Sequence, residues 1–162
     1  MSDAPLAEPS RRAEASRGSR APLRTVGPAD AGTERPGPVI VHSVSVTVGA
    51  GRASATVEVR RDGEQSLGVA EGSCAGGALD RIVAEATVRA AGGIDADAEL
   101  VAVDAVTVAT AGSRTVVTAV LAHPVAGGDE PLMGVAAVGP AGVADAVARA
   151  VVDALARRSA SS

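Results

Sequence analysis

The chain has 162 residues, a formal net charge of −4 and 46% hydrophobic residues, yet it contains no Phe, Tyr or Trp. All 15 of its cationic residues are Arg, and it has a single Cys. This composition excludes a P-loop or Schiff-base lysine, an aromatic base-stacking platform, and an intramolecular disulfide or cysteine zinc site. The acidic balance argues against nucleic acid as a partner, and no apolar run reaches the length of a membrane span. We expect one domain in the cytoplasm, with no metal, no cofactor and no membrane partner.

Residues 1–38 have the composition of a disordered tail. They hold six of the nine prolines, six Arg and five acids, and their few large apolar residues show no period. Such a segment buries too little apolar surface to offset the entropy that is lost on ordering. The sequence therefore predicts disorder over residues 1–38, a folded domain over residues 39–158 and a disordered end over residues 159–162.

The first half of the domain, residues 39–93, has the pattern of three strands followed by a helix. Apolar and polar side chains alternate in the strands, and Asp62-Gly63 is a hairpin turn signal. From Gly76 the apolar residues recur at helical spacing, and Gly92-Gly93 ends the helix. The strands are expected at residues 41–48, 53–60 and 66–70.

The second half, residues 99–158, repeats this order. Strand patterns cover residues 100–110, 115–122 and 132–138, and a helical pattern covers residues 143–158. Shifting the chain by 66 residues places Leu67-Gly68-Val69-Ala70 on Met133-Gly134-Val135-Ala136 without a gap. We interpret this as a duplicated βββα unit, and we predict an α+β fold in which a pseudo-twofold axis relates the two units.

No group of residues in the sequence has the pattern of a catalytic site. His42 and His123 lie at strand ends in different units. Cys74 precedes a helix without a base at a suggestive spacing, so we interpret it as a small buried or capping residue. Residues 95–99 carry three alternating acids but lack the glycine and final Glu of a calcium loop, and we expect a solvated loop there. The sequence thus predicts a protein that is not an enzyme and has no catalytic or metal-binding residues.

Glycine-rich turns precede both predicted helices. Small residues at the start of a helix leave backbone N–H groups accessible at the positive end of the helix dipole, where a carboxylate can bind. Ordinary strand-to-helix turns have the same composition, so that alternative stays open. The candidate ligand-binding residues are Gly72, Ser73, Gly76 and Gly77 in the first turn, and Gly139 and Gly142 in the second.

Short motifs in both halves resemble a known family. They are Ala55-Thr56-Val57-Glu58-Val59, Asp62-Gly63, Gly68-Val69-Ala70-Glu71-Gly72, Gly134-Val135-Ala136 and the helical residues 146–157. Over residues 44–158 the chain resembles the C-terminal regulatory domain of 2-isopropylmalate synthase. The resemblance implies two βββα units, a homodimer, and leucine bound as a feedback inhibitor near the helix starts. It also implies a freestanding regulatory module without the catalytic barrel of the synthase.

Three functions remain open at this point. The first is a non-catalytic regulatory homodimer that binds a small amino acid, such as a branched-chain amino acid, or a 2-oxo acid and alters contact with a partner enzyme. The second is a structural or adaptor homodimer that has lost ligand binding and acts through a protein partner. The third, an enzyme that uses Cys74, has the least support. Ligand-dependent stabilisation distinguishes the first two hypotheses, and a Cys74→Ala variant without effect would remove the third.

Overall fold

Two three-stranded antiparallel sheets, each followed by a helix, make up residues 36–161, the part of the chain that the computed structural model describes. The first sheet contains β1 (Ile40–Gly49), β2 (Arg52–Arg61) and β3 (Glu64–Ser73) in that order. A 3-10 turn at Ala75–Gly77 leads into α1 (Ala78–Gly92), and the short helix α2 (Ala96–Glu99) follows. The second sheet contains β4 (Ala102–Ala111), β5 (Arg114–Val125) and β6 (Gly128–Ala137), and α3 (Val143–Ser161) comes after it. The predicted α+β class and the two βββα units are therefore confirmed.

Matching irregularities mark the two units. The pairing of β1 with β2 shifts register between Val41 and Ser43, and the pairing of β4 with β5 shifts between Val103 and Ala105. These shifts lie 62 residues apart in the chain. In the third strands the separation is 66 residues, as the gapless alignment predicted.

The helices follow yet another separation. A Cβ atom added to Gly68 would meet Ala86 and Ala90 of α1, and one added to Gly134 would meet Ala150 and Ala154 of α3. Equivalent helical positions are therefore 64 residues apart. The β5–β6 hairpin is longer than the β2–β3 hairpin, and the turn before α3 is shorter than the turn before α1. The 66-residue alignment is correct for the third strands only.

The two long helices lie between the two sheets. Helix α1 packs on β2 and β3 of its own unit and also on β4, while α3 packs on β5 and β6 and also on β1. The two helices pack against each other as well. Each sheet is thus covered by helices from both units, and neither unit completes its core alone.

Alanine and valine fill the core because each strand turns one face to the helices. In β2, Ala55, Val57 and Val59 are fully buried, and the side chains between them are partly exposed. Among the described residues Thr87 is the buried polar residue, and its Oγ1 donates a hydrogen bond to the carbonyl of Val83 (2.8 Å). Small core residues let the helices approach the sheets closely.

Some sequence predictions fall outside the described residues, and one is wrong. Most of the predicted tail, residues 1–35, lies outside them, while residues 36–38 line a cavity of the domain. Helix α3 runs to Ser161, past the predicted domain end at residue 158. The acids of residues 95–99 do not form a solvated loop, because Asp95 caps α2 and is 19% exposed. Within residues 36–161, no helix is both long and apolar enough to cross a membrane.

Candidate functional site

The first glycine turn, residues 72–77, leads from β3 into α1. Ser73 Oγ accepts a hydrogen bond from the N–H of Ala75 (3.3 Å), so Ser73 stabilises the turn rather than α1 itself. Gly76 and Gly77 have φ angles of 63° and 81°, which favour glycine. Gly77 occupies the N-cap position of α1, and no side chain makes a cap hydrogen bond there. The amino end of α1 therefore presents backbone N–H groups that a ligand oxygen can reach.

The second glycine turn, residues 139–142, leads from β6 into α3. The N–H of Gly142 donates a hydrogen bond to the carbonyl of Gly139 (3.0 Å), and Gly142 has a φ angle of 90°. The carbonyl of Gly142 accepts a hydrogen bond from the N–H of Ala146 (3.3 Å), which starts the helix. Both predicted groups of site residues therefore lie where a helix begins.

The two glycine turns lie at the same end of the helix pair. Strand β3 runs antiparallel to α1, because Gly72 lies against Ile82 whereas Gly68 lies against Ala90. At the other end, Arg158 near the end of α3 contacts Asp95, which follows α1. Since the carboxyl ends of the helices meet, their amino ends and the glycine turns point to the opposite end.

Each helix also carries an acid in its first turn. In α1 this is Asp80, and burial raises the pKa of its carboxyl group. In α3 it is Asp145, whose Oδ2 accepts a hydrogen bond from Nε of Arg149 (2.8 Å). A ligand at these helix starts would therefore meet both backbone donors and a carboxyl group.

A cavity of about 300 Å³ lies at the carboxyl ends of the helices. We call it the carboxyl-end cavity, and most of its walls are apolar. It is lined by residues 36–38 together with Val39, Arg61, Ala91, Asp95, Leu155 and Ala156, among others. It lies away from both glycine turns, so it is a separate candidate site.

Asp95 organises the charged wall of this cavity. Its Oδ2 accepts hydrogen bonds from Nη2 of Arg61 (3.2 Å) and Nη2 of Arg158 (3.0 Å), and its Oδ1 accepts one from the N–H of Asp97 (3.1 Å). Burial by itself raises the pKa of Asp95, but the hydrogen bonds and positive charges of Arg61 and Arg158 outweigh burial and lower it below its usual value. Asp95 thus joins the end of β2, the start of α2 and the end of α3.

Arg61 is the second charged residue of the cavity wall. Its side chain is 16% exposed, and its Nη1 donates a hydrogen bond to the carbonyl of Ile94 (3.4 Å). Its Nε is buried and makes no hydrogen bond within residues 36–161. A buried donor of this kind calls for an acceptor, either a water molecule or a ligand.

The segment before β1 closes one side of the cavity. The N–H of Gly37 donates a hydrogen bond to Oδ2 of Asp62 (2.8 Å), and Asp62 lies in the β2–β3 turn with a φ angle of 49°. A Cβ atom at residue 37 would lie 2.3 Å from the Asp62 carboxylate, so glycine permits this approach.

The histidines and the cysteine lie apart from these sites. His42 is 45% exposed, and its Nε2 lies 3.7 Å from Oε1 of Glu58. His123 lines a different, larger cavity of mixed charge, and its Nδ1 makes no hydrogen bond within the described part of the chain. Cys74 is half-buried against the core and makes no side-chain cap. Among residues 36–161 no group of three or more His, Cys, Asp or Glu side chains could hold a metal ion.

Sequence reasoning missed the cluster of Arg61, Asp95 and Arg158. Asp95 lies 34 residues from Arg61 and 63 residues from Arg158, and no local pattern connects positions that far apart. A local signal was present for α2, because an Asp before a short Ala- and acid-rich run is typical of a helix N-cap.

Comparison with known proteins gives no relative for this chain. No protein-family model matches the sequence, and no curated protein matches it at a significant level.

Proposed function

We propose that this protein is a non-catalytic regulatory module that binds a small amino acid at its two glycine turns and signals to a partner enzyme. The observation that supports this proposal is the placement of both turns at the amino ends of α1 and α3, on one end of the molecule. The duplicated βββα architecture agrees with the resemblance to the leucine-sensing domain of 2-isopropylmalate synthase. A predicted pseudo-twofold axis would make the two turns equivalent.

The chemistry of the turns favours an amino acid over a plain carboxylate. Backbone N–H groups near Gly77 and Gly142 would bind the ligand carboxylate with help from the helix dipole. The first-turn carboxyl groups of Asp80 and Asp145 would then oppose a simple anion, but they would attract an ammonium group. A branched-chain amino acid adds an apolar side chain that suits surroundings of Ala and Val.

Ligand binding would act through the contacts between the two units. Because α1 also packs on β4 and α3 also packs on β1, a change at either helix start reaches the opposite sheet. A ligand that binds one arrangement of the units better than another would shift the population between them.

The first experiment is a set of thermal unfolding curves recorded by circular dichroism with leucine, valine, isoleucine and their 2-oxo acids. An amino acid at 100 times its dissociation constant should stabilise the fold by about 2.7 kcal/mol, which is a rise of several degrees in Tm. An Asp80→Asn variant should lose part of the shift with the amino acid and none of the shift with the 2-oxo acid, which has no ammonium group. Unchanged Tm with every compound would contradict the proposal.

The outer face of the second sheet favours an alternative function, an adaptor homodimer that acts through a protein partner. The outward side chains of β5 and β6 include Val120, Met133 and Val135, and the last two are 54% and 50% exposed. Across β5, Thr118 pairs with Val135, and no charged side chain lies between them. On the first sheet, by contrast, Leu67 pairs with the charged Glu58. Sedimentation equilibrium on the wild-type chain tests this alternative, because a monomer at all concentrations would exclude a homodimer.

A further inference from the structure

The carboxyl-end cavity lies at the opposite end of the molecule from the glycine turns and has no part in the proposed amino-acid site. We propose that it is a second ligand site, which binds a small apolar monocarboxylate whose oxygen accepts a hydrogen bond from Nε of Arg61. This inference does not rest on the proposed function, since it concerns different residues and a different ligand class.

The size and the walls of the cavity define the ligand. Its volume of about 300 Å³ is roughly twice that of an engineered protein cavity that binds benzene, and it lies at the lower end of the range for small-molecule sites. Val39, Ala91 and Leu155 contribute apolar walls, and the hydrogen bond from Gly37 to Asp62 holds the covering segment in place. A ring or a short branched hydrocarbon therefore fits this space.

Arg61 defines the polar group of the ligand. Its Nη1 and Nη2 are hydrogen-bonded to Ile94 and Asp95, which fixes the guanidinium plane, and Nε is the buried donor that makes no hydrogen bond within residues 36–161. Asp95 is shared between Arg61 and Arg158, so a second carboxylate at Arg61 is electrostatically favourable. A carboxylate accepts such a bond more strongly than a neutral carbonyl does, because the charged acceptor strengthens the bond.

The equivalent groove in the other unit shows that the fold alone does not dictate an apolar cavity. That groove lies between α1 and the start of β4, where the carboxyl-end cavity lies between α3 and the start of β1. It is lined by Arg81, Glu85, Arg89 and Glu99, and Arg81 pairs with Glu85 at 3.0 Å. The two units have therefore diverged at this position, and one of them has become apolar.

The test is an NMR titration of the full-length ¹⁵N-labelled chain with benzoate and with benzamide, a neutral molecule of the same shape. Because the chain has no aromatic residue, ring-current shifts report only the added ring. We expect saturable benzoate shifts at the amides of Val39, Ala91 and Ala156 and at the Nε–H of Arg61. Benzamide should bind about tenfold more weakly, since it loses the charge-assisted part of the hydrogen bond.

Three variants locate the site. Arg61→Lys keeps a positive charge beside Asp95 but removes Nε, and Ala156→Leu fills the cavity from an exposed helical position. Both should weaken benzoate binding at least tenfold, while Ala96→Leu, on α2 and outside the cavity lining, should bind as the wild type does. If Arg61→Lys fails to fold, Ala156→Leu alone still decides the matter. Wild-type binding by Ala156→Leu, equal affinity for benzamide, or no benzoate shift with Arg61 Nε–H bonded to water only would each overturn the proposal.

Discussion

Two glycines in the third strands set the distance between sheet and helix. A Cβ atom at Gly68 would lie 2.0 Å from the carbonyl oxygen of Ala86, and one at Gly134 would lie 2.0 Å from the carbonyl oxygen of Ala150. These oxygens belong to helical backbone, which cannot move without shifting the whole helix. Glycine is therefore required at both positions for steric reasons rather than for backbone freedom.

A Gly134→Ala variant should lower the free energy of unfolding by about 3 kcal/mol, because the added methyl group forces α3 away from its sheet. Gly49→Ala is the matched control, since a Cβ at that position has nothing within 4 Å. Urea unfolding followed by circular dichroism measures both. Equal stability of the two variants would show that the helix does not lie this close to β6.

Asp95 makes the stability of the fold depend on pH. Its pKa is lowered in the folded protein, so the unfolded chain binds more protons at acid pH and stability rises with pH across that range. The contribution of Asp95 is present at neutral pH and is lost as the pH falls below about 4. An Asp95→Asn variant should lose about 2 kcal/mol at neutral pH and much less at pH 3.

Asp80→Asn is the control for this prediction because the pKa of Asp80 is shifted in the opposite direction. Burial raises the pKa of Asp80, so its ionised form is less favourable in the folded protein than in the unfolded chain. Replacing Asp80 should therefore cost no stability at neutral pH. Urea unfolding of both variants at pH 7 and pH 3 checks this, and parallel losses for the two would contradict the opposite shifts.

The strands and the long helices could be predicted from the sequence because each has a local period. The alternation in residues 53–60 matches β2, and the helical spacing after Gly76 matches α1, which ends at Gly92 as expected. Helix α2 was missed because it is too short to show a period, and its cap residue Asp95 is held by distant arginines. The carboxyl-end cavity could not be predicted either, since its walls come from four separate parts of the chain.

At the level of the strands, the outer faces of the two sheets differ, and this difference can be tested at matched positions. Val135 on β6 and Val69 on β3 are equivalent, and they are 50% and 42% exposed. If the second sheet forms the interface of a homodimer, Val135→Arg should shift the chain to a monomer, because a charge would be buried between copies. Val69→Arg should leave the mass unchanged. Sedimentation equilibrium of both variants gives the answer, and loss of the dimer with Val69→Arg alone would place the interface on the first sheet.

The molecule as a whole depends on packing between the two units. Strand β1 is covered by α3 and strand β4 by α1, so a single βββα unit leaves part of its apolar face exposed to water. Residues 36–94 and 95–162, produced separately, should each lack cooperative thermal unfolding in circular dichroism. Mixing the two should restore it, because each supplies the helix that the other lacks. Cooperative unfolding of either half alone would show that the units are independent domains.

The most direct test of the proposed function is an NMR titration of the wild-type chain with leucine. Binding at the helix starts predicts saturable shifts at the amides of Gly76, Gly77 and Gly142, with those of Val39 and Ala91 in the carboxyl-end cavity unchanged. Absence of shifts at the glycine turns, or leucine shifts confined to the cavity, would contradict the assignment of the amino-acid site to these turns.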